Sequence, residues 1–306
     1  MASDDSRKVT RRAVMRCALL FWSSYAIPTR AAAAQKTYGV IMPDTGSDYY
    51  GRMIAGIRDE AKTIGMISLI EARYRDLSEL AGKVDVMVSR KVDGLIIVLQ
   101  VYNNEAATVL RIANAAGIPS VTIEGRLQGA SADVSPDFAK AAELQAQVAA
   151  ATTGSYIYVT GPKTEINSIL EQTFASNVKG LVTKVSIESY SAQETIDKTA
   201  DALSKEPDVV AIAASSDFLA LNVLHATRKS SKDIKIIGLG ATPEGVEAVK
   251  KGELTATINL KPEVQGSQAL ELLNSIAQNG VCPNGQKPPC PPKMVAPEVI
   301  AGDGRK

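Results

Sequence analysis

The residues best suited to covalent or acid–base chemistry are few. The chain has one histidine, His225, and three cysteines, Cys17, Cys282 and Cys290. His225 falls in the helix-like run 217–228, where one histidine alone reads as surface or packing rather than catalysis. Cys282 and Cys290 bracket Pro283-Asn284-Gly285-Gln286-Lys287-Pro288-Pro289, a turn-rich loop without a core of its own. No histidine lies near them to complete a zinc site. They either close the loop as a disulfide or stand as two thiols, and the compartment decides which. Gly238-Leu239-Gly240 follows a strand-like run in the manner of a dinucleotide turn, but Gly245 comes too late for G-x-G-x-x-G. The carboxylate of Glu244 in the following helix start would also repel a pyrophosphate. The sequence holds neither a P-loop nor a G-x-S-x-G turn. No catalytic residue, metal site or cofactor is therefore assigned, and the inventory points away from an enzyme.

The chain that must position its remaining polar groups has 306 residues, ample for two domains. Its 45% hydrophobic and 22% charged residues fit a soluble globular protein. No apolar run reaches the roughly 18–20 residues of a membrane span. A net charge of +1 gives no reason to expect nucleic acid as a partner. That charge is unevenly spread. Residues 1–34 carry six basic and two acidic side chains, which leaves 28 basic against 31 acidic, near −3, in the rest.

Residues 1–34 read as a signal peptide. A basic segment ends in Thr10-Arg11-Arg12-Ala13-Val14-Met15-Arg16, a short apolar stretch runs from Ala18 to Ile27, and Ala31–Ala34 supply small residues for cleavage near Ala34. The expected location is the periplasm. Arg11-Arg12 before apolar residues resembles a twin-arginine signal, and the Sec route stands beside it as the alternative. Arg16 occupies the place before Cys17 where a lipobox has a small residue. Export into an oxidising compartment favours the Cys282–Cys290 disulfide.

Beyond residue 35, apolar β-branched runs at 37–42, 67–71, 94–98 and 120–123 alternate with helix-period segments. Met53, Ile54, Ile57, Ala61 and Ile64 share one helical face, and Gly65 stops it. After a pause at 128–136 the rhythm restarts, with strand-like runs at 155–159, 184–187, 209–213, 234–239 and 255–260. One helix is fully punctuated: Thr242 as N-cap, Pro243 at the first position, Glu244 and Glu247 early, Lys250 and Lys251 late, and Gly252 as the stop. The expected fold is α/β, two doubly wound parallel-sheet lobes. Ligands of such sheets bind at the carboxyl ends of the strands, so two facing lobes would form a cleft.

Residues from about 37 to 300 resemble the periplasmic sugar-binding proteins of ABC importers, of the ribose-binding-protein type, a fold shared with the ligand-binding core of the lactose-repressor family. The resemblance is carried by Tyr38–Met42 with Asp48-Tyr49-Tyr50-Gly51, by Lys91–Ile97, by Ala115 and Gly117–Thr122, by Ala214–Leu221, by Ile237–Gly245 and by Leu254–Ile258. It implies the type I periplasmic binding protein architecture, with three hinge strands near 134–136, 260–262 and 293–296. On that pattern the N-terminal lobe is 35–134 plus 261–292, and the C-terminal lobe 135–260 plus 293–306.

The resemblance also implies a ligand set. Tyr49 and Tyr50 match the family's aromatic pair, Asp44 and Ser47 share their loop, Gln100 follows the third strand, and Glu124 matches the acidic residue after the fourth, with Arg126 nearby. In the second lobe the sequence departs from the family. The cleft arginine has no match in Asn167-Ser168-Ile169-Leu170-Glu171, where Asn167 is the nearest substitute. Ser216 stands for the usual asparagine before Asp217, Gly240 for an aspartate, and Leu260, beside Asn259, for a glutamine. Losing an arginine and an aspartate removes charge-assisted grips on sugar hydroxyls. A bulkier, less hydroxylated or partly apolar solute suits Gly240 and Leu260, and Glu124 and Asp44 could equally welcome a cationic group. The implied function is capture of a small sugar-like solute by a monomer that delivers it to ABC importer membrane subunits. The alternative is a sensor whose bound form engages a chemoreceptor or histidine kinase.

Overall fold

The computed structural model of the protein describes residues 35–302, apart from 45–46, 66, 100–107, 151–153 and 229–232. The expected signal segment and Gln100 lie outside the described residues.

The first lobe is built from β1 (Lys36–Pro43), α1 (Asp48–Ile64), β2 (Ile67–Tyr74), α2 (Leu77–Ser89), β3 (Gly94–Val98), α3 (Arg111–Ala115), β4 (Ser120–Ile123) and β5 (Ala132–Pro136). The second contains α4 (Phe138–Ala149), β6 (Ser155–Thr160), α5 (Glu165–Asn177), β7 (Val182–Ser186), α6 (Ala192–Lys205), β8 (Val209–Ala214), α7 (Asp217–Thr227), β9 (Lys235–Leu239), α8 (Pro243–Lys250) and β10 (Ala256–Asn259). The chain then returns through α9 (Pro262–Asn279) to the first lobe, and ends in β11 (Lys293–Val295) and β12 (Glu298–Ala301). The two six-stranded sheets run β2-β1-β3-β4-β5-β11 and β7-β6-β8-β9-β10-β12. Their neighbours pair parallel except for β12, which lies antiparallel to β10.

Burial on both faces explains why the strands read as unbroken apolar runs. Every residue of Gly94-Leu95-Ile96-Ile97-Val98 is buried. Ile96 and Val98 pack with Met53, Ile57 and Leu273 from α1 and α9, whereas Leu95 and Ile97 pack with Leu80, Val84 and Met87 from α2. That is the two-residue alternation of a strand with helices on both sides.

The punctuated helix forms as its sequence predicts. Thr242 accepts a hydrogen bond from the Gly245 N–H at 3.1 Å, and Pro243 opens the first turn. The chain passes between sheets at 136–138, 260–262 and 295–298. The third passage follows β11, which pairs with β5 in the first sheet. Glu298 ties two passages together: it takes a hydrogen bond from Asn259 Nδ2 at 3.1 Å and an ion pair from Lys261 Nζ at 2.9 Å.

Candidate functional site

Both sheets reverse their strand order beside their first strand, at β1/β3 in one lobe and β6/β8 in the other. In open parallel sheets the loops at such switch points diverge, and ligands bind at the strands' carboxyl ends there. Ser47 and Tyr49 follow β1 there, and Glu124 follows β4. In the second lobe, residues 161–164 follow β6, 187–191 follow β7, 215–216 follow β8 and 240–242 follow β9.

The structure brings Tyr49, Tyr50 and Glu124 together. The two rings meet edge to face, with centroids 5.4 Å apart at 80°. Tyr49 packs against apolar cores of both lobes. Tyr50 Oη donates to Glu124 Oε2 at 3.3 Å, and the Tyr49 hydroxyl bonds the same carboxyl group. Glu124 is 8% exposed and holds a left-handed backbone with φ of 65°. A side chain in that region costs energy that the surrounding structure must offset. Burial pushes the Glu124 pKa up to about 7, against the lowering influence of the two phenols. Tyr49 is raised well above its ordinary range, by burial first and then by the Glu124 charge. Its oxygen accepts from Gln265 Nε2 at 2.9 Å.

The other expected residues have varied placements. Asp44 and Ser47 are exposed on the loop after β1. Arg126 pairs with Asp133, Nη1 to Oδ1 at 3.2 Å, rather than with Glu124. Asn167 is nearly buried and donates to the Pro162 carbonyl at 2.8 Å. Ser216 caps α7 by accepting from the Leu219 N–H at 3.3 Å. Asn259 works in the hinge, bonding Glu298 and accepting from the Lys261 N–H. Asp217 lies inside its lobe instead of on the cleft surface: it is 1% exposed, and its oxygens take bonds from Thr257 Oγ1 at 2.6 Å and the Thr242 N–H at 2.7 Å. Burial raises its pKa, offset by these donors and by the charge of Arg52. The Gly240 carbonyl is taken by Arg52 Nη2 at 2.6 Å. The Cys282 and Cys290 sulfurs are joined at 2.10 Å, and both residues sit in the first lobe's core.

Sequence reasoning passed over Gln265, Arg52 and Tyr190. Tyr190, on the loop after β7, is 45% exposed, hydrogen-bonds Asn167 and covers Gly161, where an added Cβ would lie 2.2 Å from its hydroxyl oxygen. An aromatic residue between a strand and a helix was the available signal. Phe218, at the start of α7 on a neighbouring loop, is equally exposed.

Among the described residues no group of three or more His, Cys, Asp or Glu side chains is gathered to hold a metal ion. No described helix is long and apolar enough to cross a membrane. The family model described as periplasmic binding protein domain matches residues 38–280. The chain belongs to that periplasmic binding protein family. Among its relatives is the ribose import binding protein RbsB of Bacillus subtilis, 26% identical over 249 residues, covering 78% of this chain and 81% of the relative. Two solved members of this fold are close in shape. A periplasmic solute binding protein of an ABC transporter from Actinobacillus succinogenes, with bound D-allose, superposes with a TM-score of 0.75 at 21% identity, covering 87% of this chain and 97% of that one. A solute binding protein from Bacillus halodurans, with bound myo-inositol, gives 0.73 at 21% identity, covering 88% and 95%.

Proposed function

We propose that this periplasmic binding protein is the exported solute-capturing component of an ABC importer, and that it takes a small, polar, sugar-like compound between its lobes. The observation that carries this reading is the Tyr49–Tyr50–Glu124 cluster at the first lobe's switch point. Aromatic faces suit the C–H surface of a sugar-like ring. A buried carboxyl group that among the described residues is bonded by two phenols and paired with no cation suits hydroxyl partners. Ligand-bearing structures of the same fold and the ribose-binding relative support the cargo class.

In this reading Asp44, Ser47, Glu124, Tyr49 and Tyr50 face the solute from the first lobe, with Arg126 at the rim. Asn167 and Tyr190 meet it from the second. Ser216, Asp217, Gly240 and Asn259 act by shaping the second lobe and hinge. The protein acts as a monomer, performs no chemistry on its cargo, and reaches the periplasm by the signal in residues 1–34.

Mass spectrometry of the small molecule released on denaturing protein purified from its native periplasm tests the cargo class. A polyol or sugar-like compound at about one per chain is expected. A stoichiometric nucleotide, peptide or lipid would overturn it.

A further inference from the structure

Arg52 lies one turn into α1, four residues after Asp48, and reaches from the first lobe to the second. On its own lobe, Nε pairs with Asp48 Oδ2 at 3.0 Å and Nη1 with Glu263 Oε1 at 3.3 Å. Across the gap, Nη2 donates to the Gly240 carbonyl at 2.6 Å. Gly240 belongs to the second lobe, since its N–H donates to the Ile258 carbonyl of β10 at 2.8 Å.

The packing prepares this contact on both sides. Helices α1 and α9 cross so tightly that an added Cβ on Gly56 would lie 2.1 Å from the Glu263 carbonyl oxygen, and one on Gly266 2.2 Å from that of Met53. That crossing sets Glu263 beside Arg52. In the second lobe Gly240 has a φ of 122°, a conformation that side-chain-bearing residues rarely adopt. Two residues on, the Thr242 N–H is held by Asp217, whose carboxylate feels the Arg52 charge. A guanidinium fixed by two carboxylates on one body thus docks on a carbonyl fixed by a buried network on the other. Such charge-assisted hydrogen bonds are among the stronger polar contacts.

We propose that Arg52 is a positioning residue for lobe closure, a latch between α1 and the Gly240 carbonyl that biases the hinge towards the closed arrangement through protein groups alone. A contact made only when the lobes meet shifts the closed-to-open ratio by its own strength. Removing it should lower that ratio by roughly tenfold or more.

The test needs no solute. Nitroxides are placed on full-length chains at Asp85→Cys on α2 and Gln172→Cys on α5, both exposed, in a Cys17→Ser background, and interlobe distances are read by double electron–electron resonance. Arg52→Ala should move population from the shorter to the longer distance. Arg52→Lys, which keeps the charge but lacks the fork, should fall between Ala and the parent. If the Ala variant melts far below the parent, Arg52→Lys and Glu263→Gln carry the test, each expected to shift population in the same direction by less. Distance distributions that superpose on the parent's would overturn the proposal.

Discussion

Gln265 donates to Tyr49 Oη at 2.9 Å, and the same amide nitrogen donates to the Leu260 carbonyl at 2.8 Å. Gln265 is fully buried on α9, Leu260 lies at the second passage between sheets, and Tyr49 bonds Glu124. An unbroken set of protein groups therefore links the cleft carboxyl to the hinge backbone. No described protein donor reaches Gln265 Oε1. Gln265→Leu would leave the buried Leu260 carbonyl without this donor and should cost about 1–3 kcal/mol. Tyr49→Phe removes one phenol and should cost about 1 kcal/mol. Urea unfolding of both variants checks the order; a larger loss for Tyr49→Phe would contradict it.

The raised pKa of Glu124 has a definite sign. The native state holds its proton up to about pH 7, whereas an exposed carboxyl group releases it near 4.5. Between those values the native state binds more protons, so stability falls as pH rises. The change from this group is on the order of 3 kcal/mol across that window. Asp217, also raised by burial, acts in the same sense. Glu124→Gln should flatten part of the slope in a series of denaturant melts between pH 4.5 and 7. An unchanged slope would contradict the assignment.

Asp217 is predicted to matter for stability before it matters for affinity. Asp217→Ala strands the Thr257 hydroxyl and the Thr242 N–H, both now satisfied within the lobe. The expected loss is about 2–4 kcal/mol in denaturant melts. A variant of parental stability that has lost solute binding would place Asp217 in the cleft after all.

Much of this architecture is legible in the residues. Apolar runs buried on both faces marked most of the strands of the two lobes, and the Thr242–Gly252 punctuation marked α8. Strands β5, β11 and β12 do not stand out as apolar runs because they are short, and the family resemblance alone pointed to strands near 134–136 and 293–296. Ala132-Asp133-Val134-Ser135-Pro136 has too few apolar residues to declare itself, and β11 and β12 span three and four residues at sheet edges. In the site, the tyrosine pair at the start of α1 and Glu124 after β4 were readable only through the family resemblance. The roles of Arg52 and Gln265 were not. Both lie on helices where a polar residue looks like ordinary surface, and only the crossing of α1 with α9 shows what each reaches.

The Cys282–Cys290 bond closes a short loop against the first lobe's core. Closing a loop of that size stabilises by about 2.5 kcal/mol through the unfolded chain. Without reductant, a thiol reagent should label neither cysteine in the denatured exported protein. Reduction should lower stability by roughly that amount. Full labelling without reductant would show two thiols.

The central claim, capture of a sugar-like solute at the Tyr49–Tyr50–Glu124 cluster, is tested most directly by thermal unfolding against a panel of D-ribose, D-allose, myo-inositol and xylitol. A true cargo at ~100 times its Kd adds about 2.7 kcal/mol, a rise of roughly 5–10 °C in Tm. At least one member of the panel should produce that rise in the parent protein, and Tyr50→Ala should abolish it. A panel that leaves Tm unmoved at millimolar concentrations, or a rise that survives Tyr50→Ala undiminished, would contradict the account.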